Sequence, residues 1–121
     1  MYSSRLLSHF ENPRNVGELP EADARARVEN PVCGDVLELA VKVSASRVSE
    51  IRFRAKGCVP TIACGSLITE MATGLTVDEA VLIRREDVIN TIGGLPEASG
   101  HAAQLAIDAL RAVLEQAHRN A

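Results

Sequence analysis

The stretch Val36-Leu37-Glu38-Leu39-Ala40-Val41-Lys42-Val43-Ser44, followed after Ala45-Ser46 by Arg47-Val48-Ser49-Glu50-Ile51-Arg52-Phe53-Arg54-Ala55, decides the fold class. Leu37, Leu39, Val41 and Val43 recur at every second position. Ile51, Phe53 and Ala55 do the same, with Arg52 and Arg54 on the opposite side. A period of two marks a strand with one face buried. The link Ser44-Ala45-Ser46 is short, so residues 36–44 and 47–55 are expected to form an antiparallel hairpin. Upstream, residues 24–29 supply a first strand. Downstream the period turns helical. Pro60 suits a first helical position. Cys64, Leu67, Ile68 and Met71 then fall at i, i+3, i+4 and i+7, and Gly74 ends the run. Thr76-Val77-Asp78-Glu79 reads as a capping-box start to a second helix, and residues 85–91 as a third, short one. The last helix runs from about Ser99 to His118, where Leu105, Ala109, Val113 and Ala117 share a stripe with Ala102 and Ala106. Residues 3–10 form a short helix ahead of the turn Asn12-Pro13-Arg14-Asn15-Val16-Gly17. Strands followed by helices predict an α+β fold: a small antiparallel three-stranded sheet with helices packed on one face.

The chain has 121 residues, a length suited to a single domain over 1–121. It is 46% hydrophobic with no Trp, one Tyr and two Phe, so its core is aliphatic. The net charge of -3 argues against nucleic acid as a partner, because phosphate neutralisation needs a basic face. No apolar stretch approaches the roughly 20 residues of a membrane helix, and the N-terminal apolar run is too short for a signal peptide. A cytoplasmic location is expected. Three cysteines in such a chain argue against a disulfide framework and for metal, redox or nucleophile roles.

Cys33, Cys58 and His101 each sit where the chain turns, in Asn30-Pro31-Val32-Cys33-Gly34-Asp35, in Lys56-Gly57-Cys58-Val59-Pro60, and after Gly93-Gly94-Leu95-Pro96. Thiolate and imidazole on loops are what a transition metal or an iron–sulfur centre needs. Gly34 and Gly57 let backbone approach a bulky ligand. Asp35 adds an oxygen donor, so Cys33, Asp35, Cys58 and His101 make a four-ligand set. Their long sequence separations leave open whether they share one site or occupy unrelated positions. Cys64 is read as a buried helix cysteine beside Leu67, Ile68 and Met71, the alternative being a relocated ligand or sulfur acceptor. His9 and His118 are expected at the surface or at helix ends. Tyr2 is read as incidental, Arg52 and Arg54 as a solvated strand face, Glu70 as a structural pair, and Arg84-Arg85 as a polar helix junction.

The same segments carry a family resemblance. Ser8-His9-Phe10-Glu11-Asn12-Pro13-Arg14-Asn15-Val16-Gly17, Asn30-Pro31-Val32-Cys33-Gly34-Asp35, Lys56-Gly57-Cys58 with Gly65-Ser66-Leu67-Ile68-Thr69-Glu70, and Leu95-Pro96 before His101 resemble the IscU/NifU-type iron–sulfur cluster scaffolds. The resemblance spans nearly the whole chain in order and implies an IscU/SufE-like fold. The absence of a long insertion between Cys58 and His101 resembles the IscU-like branch more than the zinc-dependent SufU-like branch. The resemblance implies assembly of a [2Fe–2S] cluster or binding of iron at Cys33, Asp35, Cys58 and His101. It also implies sulfur received from a cysteine desulfurase, and delivery of the cluster to acceptor apoproteins. Two departures stand out. Ala102 follows His101 where the family has a third cysteine. Leu95-Pro96-Glu97-Ala98-Ser99 replaces the family's Leu-Pro-Pro-Val-Lys, which counts against recognition by the specialised Hsp70 chaperone.

The expected function is therefore a scaffold or carrier rather than a turnover enzyme. A zinc-binding regulatory or sulfur-acceptor protein is the alternative, since zinc suits Cys, Asp and His donors alike. A thiol redox pair of Cys58 and Cys64 lacks the C-x-x-C geometry.

Overall fold

The structure, a computed structural model, describes residues 1–120. In chain order it contains α1 (Ser4–Glu11), β1 (Ala24–Glu29), β2 (Val36–Ser44), β3 (Arg47–Lys56), α2 (Val59–Ala72), α3 (Val77–Ala80), α4 (Arg85–Thr91) and α5 (Gly100–Asn120), with a 3₁₀ turn at Glu97–Ser99 leading into α5. The sheet order is β1-β2-β3 and both pairings are antiparallel. Leu37 lies opposite Val28 and Ala55, and Leu39 opposite Ala26 and Phe53. The alternating apolar side chains therefore form one continuous face. An irregularity between Lys42 and Val43 shifts the β2–β3 register and returns Val43 opposite Val48. Leu37, Leu39, Val41, Val48, Ile51 and Phe53 are all buried. Helix α5 lies on β1 and β2, α2 on β3, and α1 on α2. The expected α+β architecture, with its helices on one face, is what the structure shows.

Three local features depart from the pattern reading. The hairpin turns on Ala45 and Ser46, both at positive φ (52° and 64°), without the glycine or asparagine such turns favour. The segment read as a turn after α1 also pairs along the outer edge of β3. Phe53 N–H donates to Asn15 O at 2.9 Å and Gly17 N–H to Phe53 O at 2.9 Å, which covers that edge against unwanted strand pairing. Helix α2, expected to bury one stripe, is buried almost all round, including Thr61, Ser66 and Thr69. It is enclosed by β3, α5 and α1, and a 3.6-residue pattern cannot report burial from three sides. Among the described residues, no helix is long and apolar enough to cross a membrane.

Candidate metal centre

The β1–β2 loop is folded on its own backbone. Asn30 N–H donates to Asp35 O and Gly34 N–H to Asn30 O, both at 2.8 Å, while Val32 N–H donates to Asn30 Oδ1 at 2.9 Å. This Asx-type turn, with Gly34 at φ +78°, lifts Cys33 into solvent and turns Asp35 inward. Asp35 then lies over Gly57, the junction between β3 and α2. A Cβ on Gly57 would fall 2.5 and 2.9 Å from the two Asp35 carboxylate oxygens. Gly57 is thus required twice, by its φ of +152° and by the carboxylate lying against it. Cys58 is the N-cap residue of α2, with a proline in the first turn behind it.

His101 comes from the first turn of α5. Its Nδ1 donates to Ala98 O at 3.2 Å, which leaves the Nε2 lone pair facing the other groups. Nε2 lies 3.8 Å from Cys58 Sγ and 3.6 Å from Asp35 Oδ2. Cys58 Sγ lies 3.2 Å from Asp35 Oδ2. The ligand atoms of Cys33, Asp35 and His101 are all within 4.8 Å of one another. Bonds of 2.0–2.3 Å in a tetrahedron put a sulfur about 3.5 Å from an oxygen or nitrogen ligand and an oxygen about 3.3 Å from a nitrogen, so the separations among Cys58, Asp35 and His101 lie within about 0.3 Å of the shell of one ion. The donor set suits zinc or iron. Cys33, Asp35 and His101 thus form one group drawn from two segments of the chain, and Cys58, from a third, adjoins it through Asp35 and His101.

Burial acts to raise the Asp35 pKa, but hydrogen bonds from Thr61 Oγ1, from the Cys58 thiol and backbone N–H, and from Cys33 outweigh it. The carboxyl is held below its ordinary value. It is therefore an anion at neutral pH, as a ligand must be. Cys64 is the opposite case. It is fully buried in the core, and burial, reinforced by Cys58, pushes its thiol up to about 12. Such a thiol is inert, in keeping with a core role. Ala102 is likewise a core residue, 1% exposed.

His9 requires a correction. Read as a surface or helix-end residue, it is only 3% exposed. Its Nδ1 meets Ser66 Oγ at 2.7 Å and its Nε2 lies 3.3 Å from Glu70. Ser66 Oγ also accepts from Arg14 N–H at 2.9 Å, so the serine ties His9 to the turn after α1. The amphipathic pattern of α1 gave no sign of this, because the partners lie on α2. Glu70 has the structural pairing expected of it. Sequence reading also passed over Thr61, whose hydroxyl donates to Asp35 Oδ2 at 2.6 Å. The available signal was its place three residues after Cys58, on the same side of α2.

Residues 1–120 match the family of the NifU-like N terminal domain. Iron-sulfur cluster assembly scaffold protein IscU 1 of Archaeoglobus fulgidus is 45% identical over 121 residues, covering 99% of this chain and 79% of that protein. The Iron-sulfur cluster assembly scaffold protein IscU of Escherichia coli K12 is 38% identical over 117 residues, covering 93% of this chain and 91% of that protein. Among solved structures, the N-terminal NifU-like protein of Brucella abortus superposes with a TM-score of 0.79 at 23% identity, over 98% of this chain and 95% of that one. At that identity it speaks for the fold alone. The family match over nearly the full length and the identity of these relatives place the chain in the NifU-like N-terminal domain family.

Proposed function

We propose that this protein is a scaffold on which iron–sulfur clusters are assembled and from which they are passed on. What supports the reading is the grouping of Cys33, Asp35 and His101, with Cys58 beside Asp35 and His101, in a chain whose relatives are named as such scaffolds. In this reading the cluster is cargo, held by two thiolates, one imidazole and one carboxylate. Cys33, the exposed thiol, meets the persulfide of a cysteine desulfurase. Cys58, half-buried at the start of α2, is the more firmly placed ligand. Asp35 is a hard donor beside soft sulfur, and its bond to iron is the weakest of the four. A site with one weak ligand holds cargo and also gives it up, which suits transfer to acceptor apoproteins and not turnover chemistry. The protein works in the cytoplasm, without nucleic acid.

A second reading, zinc as the resident of the same donors, is favoured by their chemistry, since thiolate, imidazole and carboxylate are all common zinc ligands. Anaerobic purification followed by metal and sulfide analysis separates the two. Incubation with a cysteine desulfurase, cysteine, ferrous iron and a dithiol reductant, which supplies the electrons that take persulfide sulfur to sulfide, should then give a visible charge-transfer band with iron and sulfide in equal amounts. Zinc bound at one equivalent, with no cluster formed under these conditions, would replace the first reading by the second.

A further inference from the structure

Thr61 lies in the first turns of α2 and is 1% exposed. Its hydroxyl is committed to the site. It donates to Asp35 Oδ2 at 2.6 Å and its oxygen lies 3.2 Å from Cys58 Sγ. The oxygen that receives this bond is the one nearest Cys58 and His101. Asp35 Oδ2 accepts from two side chains, the Thr61 hydroxyl at 2.6 Å and the Cys58 thiol at 3.2 Å. A metal-bound thiolate has no proton to donate, so on loading the Cys58 thiol would turn from a hydrogen-bond donor into a negative neighbour of a mostly buried carboxylate. The Thr61 hydroxyl would remain.

We propose that Thr61 is a positioning residue of the loaded site, its hydroxyl holding Asp35 Oδ2 toward Cys58 and His101. The inference rests on Asp35 being a metal ligand, as argued above. Gly57 forms the complementary wall, since the carboxylate lies where any side chain at that position would be. The carboxylate is thus held by a hydroxyl on one side and by bare backbone on the other. Groups that hydrogen-bond a ligating side chain commonly contribute about 10–100-fold to metal affinity.

The test uses the full chain and cobalt(II) as the probe, competed with zinc, on the parent, Thr61→Val, Thr61→Ser, Asp35→Asn and the Asp35→Asn/Thr61→Val pair. Thr61→Val keeps the volume and removes the hydroxyl. It should lose about 10–100-fold in cobalt affinity and alter the cobalt d–d bands. Thr61→Ser should return both to the parent's values, which a purely packing role for the threonine would not do. In the Asp35→Asn background, Thr61→Val should cost little more, because the two act through one oxygen. Parental affinity and spectrum in Thr61→Val, or an equal loss in both backgrounds, would overturn the proposal. A parent that binds no cobalt, or an Asp35→Asn variant that binds it as the parent does, would overturn the ligand reading itself and the proposal with it. Melting curves of the metal-free proteins show whether each variant is folded.

Discussion

Cys58 and Cys64 belong to one short segment and to opposite chemical settings. Cys58 caps α2 at the site and Cys64 is sealed in the core. Thiolate is a far better ligand for zinc or iron than a hydroxyl. Cys58→Ser should therefore lose most bound metal, read as metal per protein after desalting. Cys64→Ser should keep its metal and lose about 1–3 kcal/mol of stability by placing a hydroxyl in the apolar core, read by urea unfolding. Equal metal loss in both would bring Cys64 into the site. Gly57→Ala combines a strained backbone with a collision against Asp35, and it should reduce metal content while leaving the helical circular dichroism near that of the parent. Restoring a third thiol by Ala102→Cys should lengthen the life of a reconstituted cluster, since such clusters are held most firmly by thiolates. A visible band decaying no more slowly than the parent's would refute this. The thiol enters a packed position, so some stability is lost with it.

The join between α1 and α2 rests on His9. Burial and the nearby Arg14 and Arg5 favour the neutral ring, Glu70 opposes them, and the pKa lies below the ordinary 6.5. The unfolded chain therefore takes up this proton at a higher pH than the folded one. The stability linked to His9 is complete above pH 6.5 and is lost as pH falls from 6.5 through the lower folded value. His9→Asn should melt lower than the parent at neutral pH, and the gap should narrow as the solution is acidified through that range. A gap independent of pH would dismiss the linkage. At the hairpin, Ala45 and Ser46 occupy left-handed backbone, which costs on the order of 1 kcal/mol at a non-glycine residue. Ala45→Asn with Ser46→Gly should therefore raise the urea midpoint. The strands themselves were legible to within one residue, because a period of two is a local property of the chain. The encirclement of α2 and the burial of His9 were not. They depend on contacts such as His9 with Ser66, 57 residues apart. The candidate site was legible as residue types on loops together with a family resemblance. Thr61 was not, since nothing near it in sequence names its partner Asp35, 26 residues away.

Across the whole molecule, the site joins the β1–β2 loop, the β3–α2 junction and the first turn of α5, so an ion bound there cross-links three parts of one core. Zinc at 100 times its dissociation constant should add about 2.7 kcal/mol to the unfolding free energy if it binds only the folded form. Asp35→Asn should give up most of that gain, measured as the zinc-dependent shift in melting temperature.

The dispersal of the donors also sets an order of events during synthesis. A growing chain offers Cys33, Asp35 and Cys58 long before His101, and no two of its thiols stand in the close C-x-x-C spacing that captures a metal without a fold. The nascent polypeptide is thus nearly blind to metal. If these residues are the ligands, the site is complete only once α5 has docked on the sheet, so loading would follow the joining of α5 to the strands, and a chain short of that point would not withdraw iron from the cell's supply.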